Sequence, residues 1–439
     1  MEWLVLGLFC GGLLLCLALD LSILYALVAG LALFLLYGRR KGFGWGELFR
    51  MALAGVKTVK NILVTFLLIG ILTALWRAAG TIPVIVCCAA RLIRPGVFLL
   101  MTFLLNAAVS VLTGTSFGTA ATMGVICATM GGVMGVPVLL TGGAVLSGVF
   151  FGDRCSPVST SALLVAALTK TSIFDNIKRM LKTALVPFFA ACAVYTALGL
   201  IAPHGEGSLD LTALFAREFR LSLWAAVPAA VILVLSLLRV NVKLSMGASI
   251  LSAVAVCLLL QGRAPLALLK MAALGYTAAD GQVGAMLNGG GITSMLRVAA
   301  IVCLSSSYSV LFRKTGLLDG VKAAIGRLSR RTSPFFALLC TSVVAGMIAC
   351  NQSLTILLVH QLGRDLYPES GDLAIDLEDT AVVISPLVPW SIAGAVPLST
   401  VGAPAASVLL GCYLYLLPLW RLTGSRIRKR DTAKSTNDL

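Results

Sequence analysis

Long runs of apolar residues, divided by short polar or basic stretches, organise this chain. The first two are Trp3–Leu19 and Leu21–Tyr37. Val59–Leu75, Val97–Leu112, Thr119–Met134 and Val136–Phe151 follow, then a shorter piece, Ser159–Leu168, and Leu185–Ile201. Further along come Leu221–Leu238, Ser249–Leu260, Ile292–Phe312, Pro334–Ile348, Ser353–Leu362, Val382–Val396 and Ala403–Leu419. Many reach roughly seventeen residues, enough for a helix to cross a bilayer. Ser159–Leu168 is too short to span and predicts a re-entrant piece. Runs and breakers together predict roughly ten to twelve membrane segments. A membrane β-barrel would instead show short stretches of alternating polarity. The predicted fold class is therefore all-α, a polytopic membrane protein with broken or re-entrant helices.

Composition agrees. Of 439 residues, 59% are apolar and only 12% charged, too few to cover a soluble surface. The net charge of +16 does not point to nucleic acid, because Lys and Arg gather in short loops as cytoplasmic loops require. Trp3–Leu19 has no basic residue before it and no small-residue cleavage region, which predicts a retained hairpin with Leu21–Tyr37 rather than a cleaved leader. Arg39, Arg40 and Lys41 place the far end of that hairpin, and so the amino terminus, in the cytoplasm; Arg426, Arg428, Lys429 and Arg430 do the same for the carboxyl terminus. The expected location is the cytoplasmic membrane. Most of the twelve Cys sit inside apolar runs and read as small apolar residues, while His204 and His360 stand alone, so no resident metal or other cofactor is expected. No phosphate loop, zinc-protease motif, nucleophile elbow or voltage-sensor spacing occurs, so an ATP-driven pump, a hydrolase and a voltage-gated channel are disfavoured and no enzyme is expected.

Four anchors recur in the same order. Trp76-Arg77-Ala78-Ala79-Gly80 answers Leu311-Phe312-Arg313-Lys314-Thr315-Gly316, and Arg91-Leu92-Ile93-Arg94 answers Arg327-Leu328-Ser329-Arg330. Gly114-Thr115-Ser116 answers Cys350-Asn351-Gln352-Ser353, and Ser156-Pro157 answers Ser385-Pro386. They divide the chain into a helical hairpin and linker over 1–56, a first transporter repeat over 57–201, a linker with connecting helices over 202–288, a second repeat over 289–420 and a basic tail over 421–439. Paired repeats with substrate sites at broken helices near the midplane are characteristic of secondary transporters.

The chemistry concentrates at the same breaks. Gly152–Ser161 holds Asp153, Arg154, Ser156, Pro157, Ser159 and Thr160 between two apolar runs. Irregular polar backbone at membrane depth is tolerated only inside protein or beside a wet cavity, and its oxygens are hard ligands suited to Na⁺. The bland alternative is a solvated turn. In Leu377–Trp390, Glu378 and Asp379 open an apolar stretch interrupted by two prolines, with Ser385 before the first. These acids either exchange H⁺ for a cation or simply close an acidic loop and favour a helix dipole. Thr115, Ser116, Asn351 and Gln352 read as oxygen donors at helix breaks, with close helix contact through glycine as the alternative. Asn288–Gly291 reads as a flexible connector. The candidate ion-binding set is thus Thr115, Ser116, Asp153, Ser156, Ser159, Thr160, Asn351, Gln352, Glu378, Asp379 and Ser385, with Asp153 and Asp379 as Na⁺ ligands.

At Thr113–Thr119, Gly152–Ser159, Phe174–Leu181, Gly289–Leu296 and Leu377–Trp390 the chain resembles the NhaC-type sodium/proton antiporter family, within the ion transporter superfamily. The resemblance implies Na⁺ exchange for H⁺ through an elevator-like movement, with Asp153, Ser156, Ser159, Glu378, Asp379 and Ser385 at or near the ion path. The chain departs from the pattern at Thr160 and Asn351, where such families tend to carry Asp. These neutral positions leave open a carrier, coupled to Na⁺ or H⁺, for an organic anion or amino acid, as in similar malate/lactate antiporters, with Arg154 meeting a substrate carboxylate. Expected partners are the lipid bilayer, Na⁺, H⁺, a small organic solute in that second reading, and a second copy in a homodimer. A passive channel or membrane scaffold is the third reading, and the repeat argues against it.

Overall fold

The computed structural model describes residues 2–19, 21–90, 94–157, 159–202, 211–238, 240–317, 320 and 332–423. The basic motifs at 91–93 and 327–330, His204 and the tail from 424 lie outside the described residues. Among those described, regular structure is helical apart from one isolated antiparallel bridge between Tyr276 and Gly289. The helices are α1 (Glu2–Ala18), α2 (Ile23–Arg40), α3 (Trp45–Thr58), α4 (Lys60–Ala78), α5 (Thr81–Ala90) and α6 (Phe98–Thr113). Next come α7 (Ser116–Val133), α8 (Val138–Cys155), α9 (Thr160–Thr169) and α10 (Ile173–Ile201). Then α11 (Leu211–Ala216), α12 (Val227–Leu237), α13 (Val242–Leu259), α14 (Pro265–Leu274), α15 (Gly281–Leu287) and α16 (Leu296–Thr315) lead to α17 (Pro334–Ala349) and α18 (Gln352–Gly363). Finally α19 (Ser370–Leu387), α20 (Ile392–Thr400) and α21 (412–423) close the chain.

Seven of the described helices are long and apolar enough to cross a bilayer, and the pair α19–α20, bent by 54°, makes an eighth. Other apolar runs resolve as shorter helices, such as Thr160–Thr169 and Pro334–Ala349. The physical reason lies in the breaks. Helix α6 ends at Gly114 with φ 64°, and α17 ends at Cys350 with φ 54°. Both are left-handed C-caps, easy for Gly and costly for Cys. Each is followed by an extended N-cap, Thr115 or Asn351, whose side chain accepts backbone N–H bonds of the next helix. The two breaks aligned by sequence alone therefore share one local geometry.

The short helices after each Ser-Pro cross over. Helix α9, from the first half, packs on α18 and α19 of the second. Helix α20, from the second half, packs on α7 and α8 of the first. Two glycines on α8 allow the close approach of α6: a Cβ on Gly148 would lie 2.6 Å from the Phe103 carbonyl oxygen, and one on Gly152 2.3 Å from Ser110 Cβ. The run Gly289–Gly291, expected as a flexible connector, is instead a packed element. A Cβ on Gly70 of α4 would lie 2.6 Å from the Gly291 carbonyl oxygen. Small residues here let backbones touch.

Helices α1 and α2 pack on each other as a hairpin. Phe9, Phe34, Tyr308 and Phe312 stack edge to face and tie α1 and α2 to α16. Lys41 lies 3.7 Å from Glu2, so both ends of the hairpin lie on one side.

Candidate ion-binding site

The crossing of α9 under α18 and α19 gathers charge where the sequence has only separated polar clusters. Asp153, in the last turn of α8, has 3% of its surface exposed, while Arg154, Glu378 and Asp379 have none. The solvated-turn alternative for Gly152–Ser161 is thereby excluded, since Asp153 to Ser156 are all buried.

Asp153 is held by neutral donors. Ser159 Oγ donates to Oδ1 at 2.9 Å and Ser161 Oγ to Oδ2 at 3.1 Å. Ser159 is the N-cap of α9, so its own oxygen accepts from the Ser161 and Ala162 N–H groups. Gln352, the first residue of α18, also bonds Asp153, and its Nε2 donates to the Val382 carbonyl oxygen at 3.1 Å. That carbonyl belongs to a π-helical segment, Glu378–Val382, inside α19. A π turn widens the helix by one residue, a feature frequent at functional sites.

Glu378 opens that segment. It interacts electrostatically with Asp153, Arg154 and Asp379, yet neither carboxylate oxygen receives a hydrogen bond. Asp379, one residue on, has the opposite surroundings. Arg154 Nη2 donates to its Oδ1, and Arg421 Nε stands 2.7 Å from its Oδ2. Thr183 Oγ1 donates to Oδ1 at 3.3 Å. Asp379, expected as a Na⁺ ligand, thus faces two guanidiniums that already compensate its charge, and a buried ion so paired gains little from a further cation. Arg154 is equally committed. Besides Asp379 it donates to Thr183 Oγ1 at 2.8 Å and the Met180 carbonyl oxygen at 3.1 Å, so it is not free to meet a substrate carboxylate.

The other expected residues divide. Thr160 is exposed in the first turn of α9, because successive helix residues point about 100° apart; Ser161 supplies the hydroxyl expected of it. Ser156 Oγ donates to the Val111 carbonyl oxygen at 2.7 Å, tying the break to α6, and Ser385 Oγ donates to the Ala381 carbonyl oxygen at 2.7 Å within its own helix. Asn351 Oδ1 caps α18 through the Ser353 N–H at 2.9 Å. Ser116 is buried, and Thr115 lines a separate small cavity with Thr113, Gly118 and Thr122. Gln352 therefore joins Asp153, Ser159 and Glu378, while the remaining donors build the breaks. Sequence reading missed Ser161 and Arg421. Ser161 carried a signal as a hydroxyl two positions past a Ser N-cap; Arg421, at the end of an apolar run, carried none beyond its charge. Among the described residues, no three His, Cys, Asp or Glu gather into a metal site.

The comparisons with known proteins bear on this geometry. The sequence pattern of the Na⁺/H⁺ antiporter family matches residues 4–167 and again 148–420. The chain is 26% identical over 407 residues to a malate-2H⁺/Na⁺-lactate antiporter of Bacillus subtilis, covering 89% of this chain and 86% of the relative. It is 26% identical over 404 residues to the Na⁺/H⁺ antiporter NhaC of Alkalihalophilus pseudofirmus, covering 89% and 87%. An arginine/ornithine antiporter of Halobacterium salinarum is 27% identical over 417 residues, covering 90% and 86%. With buried acids at crossed, broken helices and a family match along nearly its whole length, this chain belongs to the Na⁺/H⁺ antiporter family, a family of multi-pass membrane transporters.

Proposed function

We propose that the protein is a secondary active antiporter that exchanges Na⁺ for H⁺ across the cytoplasmic membrane, with Asp153 and Glu378 as the carboxyls the two ions share. The observation that carries this reading is the isolation of Glu378, fully buried without a hydrogen-bond donor beside an acid that has only neutral donors. A bare carboxylate in a protein interior costs several kcal/mol. Glu378 is therefore occupied by a proton or faces a cation, and the two occupants exclude one another. Asp153, Glu378 and the Ser159 and Ser161 hydroxyls supply hard oxygens of the kind that bind small cations. Arg154 and Arg421 neutralise Asp379 and Asp376, which leaves Asp153 and Glu378 as the acids free to change partners.

The two-repeat division supports the mechanism. The halves meet where α9 and α20 cross, so a relative movement of the halves would carry the site with it. The shared side of Glu2 and Lys41, together with the basic Arg39–Lys41 loop, supports a cytoplasmic amino terminus. A homodimer belongs to the same reading and is checked by the mass of the purified protein in detergent.

The second reading, a carrier for an organic anion or amino acid, draws on relatives named for malate, lactate, arginine and ornithine. The engagement of Arg154 with Asp379 weighs against a substrate carboxylate there. The test is reconstitution in proteoliposomes. Na⁺ added on one side should collapse an imposed pH gradient without any organic solute, and Asp153→Asn or Glu378→Gln should each abolish this. Exchange that persists in the double variant would refute the assignment, and collapse only with malate or arginine present would favour the second reading.

A further inference from the structure

Arg421 belongs to neither broken hairpin. It lies near the end of α21, and its Nη2 donates to Asp376 Oδ1 at 2.5 Å while its Nε stands 2.7 Å from Asp379 Oδ2. These acids are three residues apart on α19, one just before the π segment and one inside it, with Glu378 between them. Tyr367 Oη donates to Asp376 Oδ2 at 2.7 Å, and the guanidinium lies 5.4 Å from the centre of the Phe335 ring. The groups facing Arg421 are thus Asp376, Asp379, Tyr367 and Phe335, with Arg154 beyond Asp379. The Arg154 and Asp379 side chains have no exposure, whereas that of Arg421 keeps 31%. π turns inside α-helices are frequent at functional sites, and Arg421 contacts this one at Asp379 and the turn before it at Asp376.

We propose that Arg421 is a positioning residue: by bridging Asp376 and Asp379 across the π segment it fixes where Glu378 points and closes the site on the side of α21. The proposal rests on the exchange reading above. A group that orients a carboxylate beside an ion site acts on affinity, and its loss typically costs about 10- to 100-fold in metal binding. Replacement of Arg421 should therefore raise the KM for Na⁺ and leave the maximal rate little changed. Loosening the clamp should also expose Cys155, which is buried with its Sγ 3.4 Å from Arg154 Nη1.

The experiment measures Na⁺-driven H⁺ movement in proteoliposomes for wild type, Arg421→Gln, Arg421→Lys, Asp376→Asn and the Arg421→Gln/Asp376→Asn pair. Alkylation of Cys155 is read by peptide mass in the same preparations. Arg421→Gln should raise KM by about 10- to 100-fold and speed Cys155 alkylation, and Arg421→Lys should recover part of the affinity. Asp376→Asn should act in the same direction, and the pair should be no worse than Arg421→Gln alone, since that change already removes the contact that Asp376→Asn removes. Wild-type KM and a protected Cys155 in Arg421→Gln would overturn the proposal. So would a fall in maximal rate at unchanged KM, or additive effects in the pair. If Arg421→Gln fails to insert, unchanged KM in both Arg421→Lys and Asp376→Asn overturns it. Failure of the wild type itself to exchange Na⁺ for H⁺ removes the exchange reading instead, and Cys155 alkylation then decides the clamp alone.

Discussion

Removing the carboxylate of Asp379 should destabilise the protein more than it weakens any ion contact. Arg154 is completely buried, and Asp379 is its acidic partner. In Asp379→Asn the guanidinium keeps the Thr183 and Tyr413 hydroxyls, the Met180 carbonyl and the Cys155 thiol but loses its salt-bridged carboxylate, while Arg421 keeps Asp376. Breaking a buried pair by removing one partner costs about 3–5 kcal/mol, and replacing both partners by apolar residues of similar volume is often neutral or stabilising. Asp379→Asn should thus lose about 3–5 kcal/mol, and Arg154→Met/Asp379→Leu should recover most of it. Thermal unfolding of the detergent-purified protein, followed by tryptophan fluorescence, reads both variants. An Asp379→Asn protein as stable as wild type, or a double variant as unstable as the single one, would refute the assignment of Asp379 to charge compensation.

Glu378→Gln should behave in the opposite way: with no hydrogen bond to lose, unfolding should shift by no more than about 1 kcal/mol while Na⁺-dependent H⁺ movement disappears. Gly152→Val should place its Cβ about 2.3 Å from Ser110 Cβ, separate α6 from α8 and cost about 1–3 kcal/mol or more, read as lost thermal stability. Glu218, outside the spans, should give a pH signature. Burial pushes its carboxyl up, but the Ala279 and Asp280 N–H groups, the Tyr276 hydroxyl and Arg263 outweigh this and hold it below the usual carboxylate range. Its contribution to stability is present above the ordinary carboxylate value and lost as the pH falls through the lowered folded value. Wild type should therefore lose stability below about pH 4, and Glu218→Gln should show a shallower loss over the same window.

The membrane class and the breaks were legible because both are local properties. Run length marks Ser159–Leu168 as too short to span, and it folds as the short helix α9. The anchors Gly114-Thr115 and Cys350-Asn351 align because a left-handed cap followed by an N-cap is written in adjacent residues. Asp153 stood out as an acid between two apolar runs. Which of two neighbouring acids stays free was not legible. Glu378 and Asp379 are adjacent, but a helix turns them to different surroundings, and the surroundings of Asp379 come from Arg154 and Arg421, distant in sequence. The same geometry separates Thr160 from Ser161. Arg421 looked like the start of a basic tail that sets topology, and only the fold brings it against Asp376 and Asp379.

In the proposed exchange, Asp153 and Glu378 give up protons to admit Na⁺. Potentiometric titration of the purified, weakly buffered protein tests this directly. Na⁺ added to the wild type should release protons, and the release should vanish in both Asp153→Asn and Glu378→Gln while persisting in folded Arg154→Met/Asp379→Leu. Na⁺ binding without proton release, or release undiminished in Glu378→Gln, would contradict the account.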